Sequence, residues 1–161
     1  MTFDNLGNLF PYDIIKTDLV SFEQVFVTNF PKSATRRRIF ENYQQLIVDF
    51  KHQVTGSFYQ WIDGSFVSEK VNPNDIDIIT FLDHKIYEIQ AQKLMNFSGY
   101  ELQREKKIDS YFVKLYPVEH PHYEIITKLD TLEWLHLFSK TKVQRNGNKY
   151  PKGIIQIDFK L

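Results

Sequence analysis

The chain has 161 residues, 20 acidic against 20 basic side chains, and 42% hydrophobic and 16% aromatic content. That length fits one domain able to bury roughly 70% of its unfolded surface, and such aromatic content excludes a disordered chain. The absence of cysteine removes disulfides, zinc thiolates, iron–sulfur clusters and thiol catalysis, and zero net charge argues against a general nucleic-acid coat.

The elements follow from periodicity and punctuation. The first thirty residues read as irregular, with Phe10-Pro11 and Phe30-Pro31 as breakers. Between them Ser21 is expected to cap a short helix whose Phe22, Val25, Phe26 and Phe30 share one face. From Ser33 to Val54 the apolar positions Ile39, Phe40, Tyr43, Leu46, Ile47 and Phe50 recur at helical steps, with Ser33 as N-cap and Gly56 past the end. Phe58–Ile62 is aromatic and β-branched, as a buried strand requires. Gly64–Val71 reads as a turn and short helix, Asn72-Pro73-Asn74 as a breaker, and Ile76–Leu82 as a second strand. A helix over about His84–Phe97, closed by Gly99, precedes a third strand over Ile108–Tyr116. Thr131–Ser139 reads as helical, Arg145–Asn148 as a turn and Gly153–Phe159 as a last strand. Strands interleaved with helices predict an α/β or α+β fold with a central mixed sheet. No apolar run reaches the ~20 residues that span a bilayer. Met1–Phe10 has no basic segment followed by an apolar one, so no secretory leader is expected. The chain therefore reads as cytoplasmic.

The chemistry concentrates in residues 61–79. Side chains alternate along a strand, so Asp75 and Asp77 are expected on one face, where they repel each other beside the apolar Ile76, Ile78 and Ile79. A divalent cation explains that juxtaposition, since magnesium takes one or two carboxylates together with phosphate and water. Gly64-Ser65 supplies the complement: a glycine allows close backbone approach, and a serine opening a helix offers a hydroxyl and free N–H groups to phosphate. Lys70 adds a positive charge. Strand, Gly-Ser, nine residues and Asp-Ile-Asp together are far more specific than either dipeptide alone.

Gly64-Ser65, the nine-residue spacer and Asp75-Ile76-Asp77-Ile78 resemble the signature of the polymerase-β-like nucleotidyltransferase superfamily. Asp63–Val67 with Lys70, Pro73-Asn74-Asp75, Asp109–Val113 and the tail Arg145-Asn146-Gly147 with Pro151–Ile155 are similar to a group of small single-domain bacterial proteins related to it. The resemblance covers most of the chain and implies one nucleotidyltransferase-like domain over residues 1–161. It implies that Asp75, Asp77 and Asp109 bind Mg²⁺, with Mn²⁺ as a substitute, and are the catalytic carboxylates. Gly64, Ser65 and Lys70 would then bind a nucleoside triphosphate, and a nucleoside monophosphate would pass to a hydroxyl of a protein, a small molecule or an RNA end. Asp109 is assigned as the third acid because it opens a strand after an intervening helix, where the resemblance places such an acid; Glu101, Glu105 and Asp158 are weaker candidates, and Asp63 is expected to shape the loop or cap the helix, with the site within its reach. Relatives of this size suggest a toxin–antitoxin or phage-defence context and a protein partner, with no membrane and no extended nucleic-acid duplex. The alternative is a catalytically inactive nucleotide-sensing or partner-neutralising module of the same fold.

Two charge features remain. Arg36-Arg37-Arg38 reads first as a solvated helix start and second as a triphosphate contact. Residues 140–152 carry Lys140, Lys142, Arg145, Lys149 and Lys152 with no acid, whereas 63–88 are mainly acidic. An acidic metal site facing basic segments suits a clamped anionic ligand. His120-Pro121-His122 is read as a loop rather than a metal site, and Trp134, Leu135, Leu137 and Phe138 as core.

Overall fold

The structure, a computed structural model, describes residues 1–160; Leu161, the last residue of the expected domain, lies outside them. Strands β1 (Thr2–Phe3) and β2 (Leu9–Phe10) pair as a small antiparallel ribbon, and β3 (Ile14–Thr17) enters the main sheet. Helix α1 (Leu19–Glu23) runs on as a π-helical turn over Gln24–Thr28, and α2 spans Arg36–Gln53. Strand β4 (Phe58–Asp63) leads through a 3-10 turn (Gly64–Val67) to β5 (Ile76–Asp83). Short helices α3 (His84–Ile89), α4 (Ala91–Leu94) and α5 (Tyr100–Lys106) precede β6 (Ile108–Leu115). Helix α6 (Leu129–Phe138) and β7 (Ile154–Phe159) complete the chain. The five-stranded sheet has the order β3-β7-β4-β5-β6. β3 is parallel to β7 and β5 to β6, while β4 is antiparallel to both its neighbours. The fold is thus the expected α+β class, a central mixed sheet flanked by helices.

Strand β5 shows why the sheet sits at the centre. Ile76, Ile78, Ile79, Phe81 and Leu82 are all buried, so both faces of the strand are covered. On one face, α2 lays Ile39, Phe40, Tyr43, Leu46, Ile47 and Phe50 against Ile62, Ile78 and Ile108. The Phe50 ring stands 4.7 Å from Phe58 and 5.1 Å from Phe97, and each such buried ring contributes roughly 1.5–3 kcal/mol. One polar chain crosses this core with its bonds satisfied: Tyr43 Oη donates to Gln60 Oε1 at 2.7 Å, and Gln60 Nε2 donates to Thr80 Oγ1 at 2.8 Å. The opposite face is smaller. Trp61, Ile79, Phe81, Val113 and Ile154 meet Phe138 of α6, with Trp134 and Leu135 packed against them.

Several local features depart from the sequence expectations, among them Leu137, read as core and 50% exposed. The first thirty residues are not wholly irregular, because β3 pairs with β7. Asp18 caps α1, its carboxylate accepting from the Ser21 N–H at 2.7 Å, so Ser21 is the recipient rather than the cap. Gly99 opens α5 instead of closing one long helix, and the expected 84–97 helix is broken into α3, α4 and a 3-10 turn. Finally, Arg36 is fully buried rather than solvated. The N-cap of α2 is Thr35 rather than the expected Ser33, although the Ser33 hydroxyl still accepts from the Arg36 N–H at 3.1 Å. Among the described residues no helix is long and apolar enough to cross a membrane.

Candidate active site

Strand register assembles the carboxylates. β4 ends at Asp63, which pairs across the antiparallel ladder with Asp77; β6 begins so that Asp109 is the parallel-ladder partner of the same Asp77. Asp63, Asp77 and Asp109 therefore form one row over three strands spaced about 4.8 Å apart. Asp75 stands one residue ahead of β5. Because side chains alternate, this row belongs to the face of Trp61, Ile79 and Val113, opposite α2.

The electrostatics centre on Asp77. Burial first, then the charges of Asp75 and Asp109, push its carboxyl up to about 6 against the opposing pull of Lys142 and Lys152. Asp63 is pushed up to about 7 by burial, although Lys152 Nζ donates to its Oδ2 at 2.7 Å and pulls the other way. That ion pair is itself nearly enclosed, the side chains being 12% and 5% exposed, and Asp63 Oδ1 is buried without a hydrogen-bond partner. Four carboxylates thus face two ammonium groups, and negative charge is in excess.

The Gly64-Ser65 turn packs directly on this row. Gly64 has φ +79°, and an ideal Cβ there would fall 1.7 Å from Asp77 Oδ2. The Asp77 carboxylate thus occupies the space that a side chain would take, so the position requires glycine on two counts. Ser65 sits in the first half of the 3-10 turn, half-buried, and its carbonyl accepts from Ser68 Oγ at 2.7 Å. The loop that follows is held from below. Arg36 donates through Nη1 to the carbonyls of Phe26 and Phe66 and through Nη2 to those of Ser68 and Lys70, at 2.6–2.7 Å. Its guanidinium lies 3.9 Å from the Phe30 ring centroid. Burial lowers its pKa to about 10, so it remains charged at neutral pH. Arg36 therefore shapes the loop from within and is enclosed away from any ligand.

The sequence-predicted residues separate accordingly. Asp75, Asp77, Asp109, Gly64 and Ser65 are brought to one end of β4, β5 and β6. Lys70 is exposed and lines a cleft with Asn5–Asn8, Ser68 and Glu69 that holds none of the four carboxylates. The cations that act on Asp77 are instead Lys142 and Lys152, members of the basic segment noted in the sequence. Its two arms are tied together by the Lys140–Pro151 bridge and by the Thr141 N–H donating to the Tyr150 carbonyl at 2.8 Å. Of the weaker acids, Glu101 and Glu105 are exposed on α5, and Asp158 faces Tyr59 across the ladder and pairs with Lys16 at 3.7 Å. None of the three joins the row. Among the described residues no three His, Asp or Glu side chains form a ready-made metal cage.

No curated protein and no solved structure matches the chain. A family model does, over residues 1–158, and the chain accordingly belongs to a family of unknown function, DUF6932.

Proposed function

We propose that this protein is a Mg²⁺-dependent nucleotidyltransferase that moves a nucleoside monophosphate from a nucleoside triphosphate to a hydroxyl acceptor, releasing pyrophosphate. The observation that carries the reading is the register row Asp63–Asp77–Asp109 with the Gly64-Ser65 turn packed against Asp77. Crowded carboxylates in excess of their cations fit a divalent metal. Oxygen ligands suit Mg²⁺, which needs only one or two protein carboxylates because phosphate and water supply the rest. Asp75 and Asp77 would hold it; when bound, the ion neutralises phosphate oxygens and aligns nucleophile with leaving group.

The chain's own residues do the remainder. Gly64, lacking a side chain, lets the substrate approach the backbone, and Ser65 offers its hydroxyl to phosphate. Lys142, exposed on the basic segment, attracts the triphosphate and takes the phosphate role expected of Lys70, while Lys152 stays paired with Asp63. Asp109, at the acceptor end of the row, receives the proton of the attacking hydroxyl. Acceptors of the protein, small-molecule or RNA-end class remain in the proposal, as do a cytoplasmic location, a toxin–antitoxin or phage-defence setting and a protein partner.

Calorimetry with each nucleoside triphosphate and Mg²⁺ or Mn²⁺ tests this. Wild type should bind metal and nucleotide together, and Asp77→Ala should abolish the binding; unchanged binding in Asp77→Ala removes the carboxylates from the metal role. One observation favours the inactive sensing module instead: Lys152 already neutralises Asp63 within the row. That reading requires nucleotide binding without transfer to any acceptor.

A further inference from the structure

We infer that Tyr111 is an acceptor built into the site, so that the protein nucleotidylates itself on this phenol. The inference rests on the nucleotidyl-transfer reading and adds a hydroxyl that the structure has already placed. Tyr111 follows Asp109 by two residues on β6, so the two side chains share the carboxylate face. The phenol turns back and donates to Asp109 Oδ2 at 3.1 Å.

Tyr111 is 40% exposed on the edge strand of the sheet, so a nucleotide can reach it. Its ring is steadied from behind by Trp134 of α6, with centroids 4.7 Å apart. A general base must lie within hydrogen-bond reach of the proton it removes, and Asp109 does.

The step balances with a nucleoside triphosphate as co-substrate. The phenolic oxygen forms a bond to the α-phosphorus. The bond from that phosphorus to the oxygen bridging the α- and β-phosphates breaks. Pyrophosphate leaves with the electron pair, and the phenol proton passes to Asp109 Oδ2. The product is a tyrosyl nucleotide that covers the acceptor end of the row, so one turnover blocks the site.

The test is incubation of the full chain with each nucleoside triphosphate and Mg²⁺, followed by intact-mass and peptide mass spectrometry. The expected result is one added nucleoside monophosphate, mapped to Tyr111. The labelled fraction at each time should be independent of protein concentration, as for a reaction within one chain. Asp109→Asn should slow the labelling by about 10²–10⁴-fold, and Tyr111→Phe should remove the label from this peptide while melting like wild type. Transfer to another residue or to an added acceptor, with Tyr111 unmodified, overturns the inference and leaves the nucleotidyltransferase reading standing. Absence of transfer to anything overturns both.

Discussion

Replacing Asp77 by Asn should make the ligand-free protein more stable at neutral pH. The side chain keeps its shape but loses a charge that the fold holds among Asp75, Asp109 and apolar neighbours. Its folded-state value of about 6 exceeds the ordinary 3.8 by roughly two units. At ~1.4 kcal/mol per unit, ionised Asp77 costs about 3 kcal/mol. A folded-state pKa raised above the unfolded one contributes stability that is present at low pH and is lost as pH rises through the folded value. The gain in Asp77→Asn is therefore largest above pH 7 and falls to about 1 kcal/mol at pH 4.5. Asn must still be desolvated, so a gain of about 1–3 kcal/mol is expected at pH 7.5. For a chain of this length that corresponds to ~2–12 °C in Tm. Urea unfolding in EDTA at both pH values reads the difference. Mg²⁺ with nucleotide should then stabilise wild type and not the variant, since a ligand stabilises only the state that binds it. An Asp77→Asn protein less stable than wild type at pH 7.5 in EDTA would refute the reasoning, because the carboxylate would then be serving the fold.

Three other substitutions test the surroundings of the row. Gly64→Ala places a Cβ on the Asp77 carboxylate and a side chain at positive φ, so calorimetry should show metal–nucleotide binding lost and melting should show the fold weakened. Lys152→Met strands the buried Asp63 carboxylate and should cost about 3–5 kcal/mol at pH 7.5 by urea unfolding. That cost should shrink toward pH 5, where Asp63 takes up a proton, and the double change with Asp63→Asn should restore most of the stability. Arg36→Lys should cost about 2–4 kcal/mol by the same assay, because one ammonium cannot satisfy four carbonyls that a planar fork reaches.

The residues made the main elements legible where one physical rule dominated. β5 is rich in isoleucine, phenylalanine and leucine around the half-buried Asp77, α2 carries a clean helical stripe, and both appear close to where expected. The carboxylates Asp75 and Asp77 stand out beside an isoleucine-rich strand at a fixed spacing from Gly64-Ser65, and Asp109 is reached through the family resemblance, which places a third acid on such a strand. Features set by distant partners were hidden. β3 is a strand only because β7, some 140 positions away, pairs with it. Arg36 lies in an arginine run that resembles a solvated helix start; its burial follows from four carbonyls contributed by two other segments. From its position before Gly64, Asp63 reads as shaping the loop or capping the turn with the site in reach; its place opposite Asp77 is a matter of register, which the sequence does not display. Lys70 is the basic residue nearest the Gly-Ser turn along the chain, whereas in the fold the C-terminal segment brings Lys142 and Lys152 to act on Asp77. The signal for that return was the acid-free stretch 140–152 facing an acidic half.

The central claim is nucleotidyl transfer at the carboxylate row. Its most direct measurement is incubation of wild type, Asp77→Asn and Asp109→Asn with each α-labelled nucleoside triphosphate, Mg²⁺ and cell extract, followed by a search for label on protein, RNA and small molecules. The account predicts label transfer by wild type, none by Asp77→Asn, and transfer by Asp109→Asn slowed about 10²–10⁴-fold while its nucleotide binding persists. Label transferred equally by all three proteins, or by none of them with any nucleotide, would contradict it.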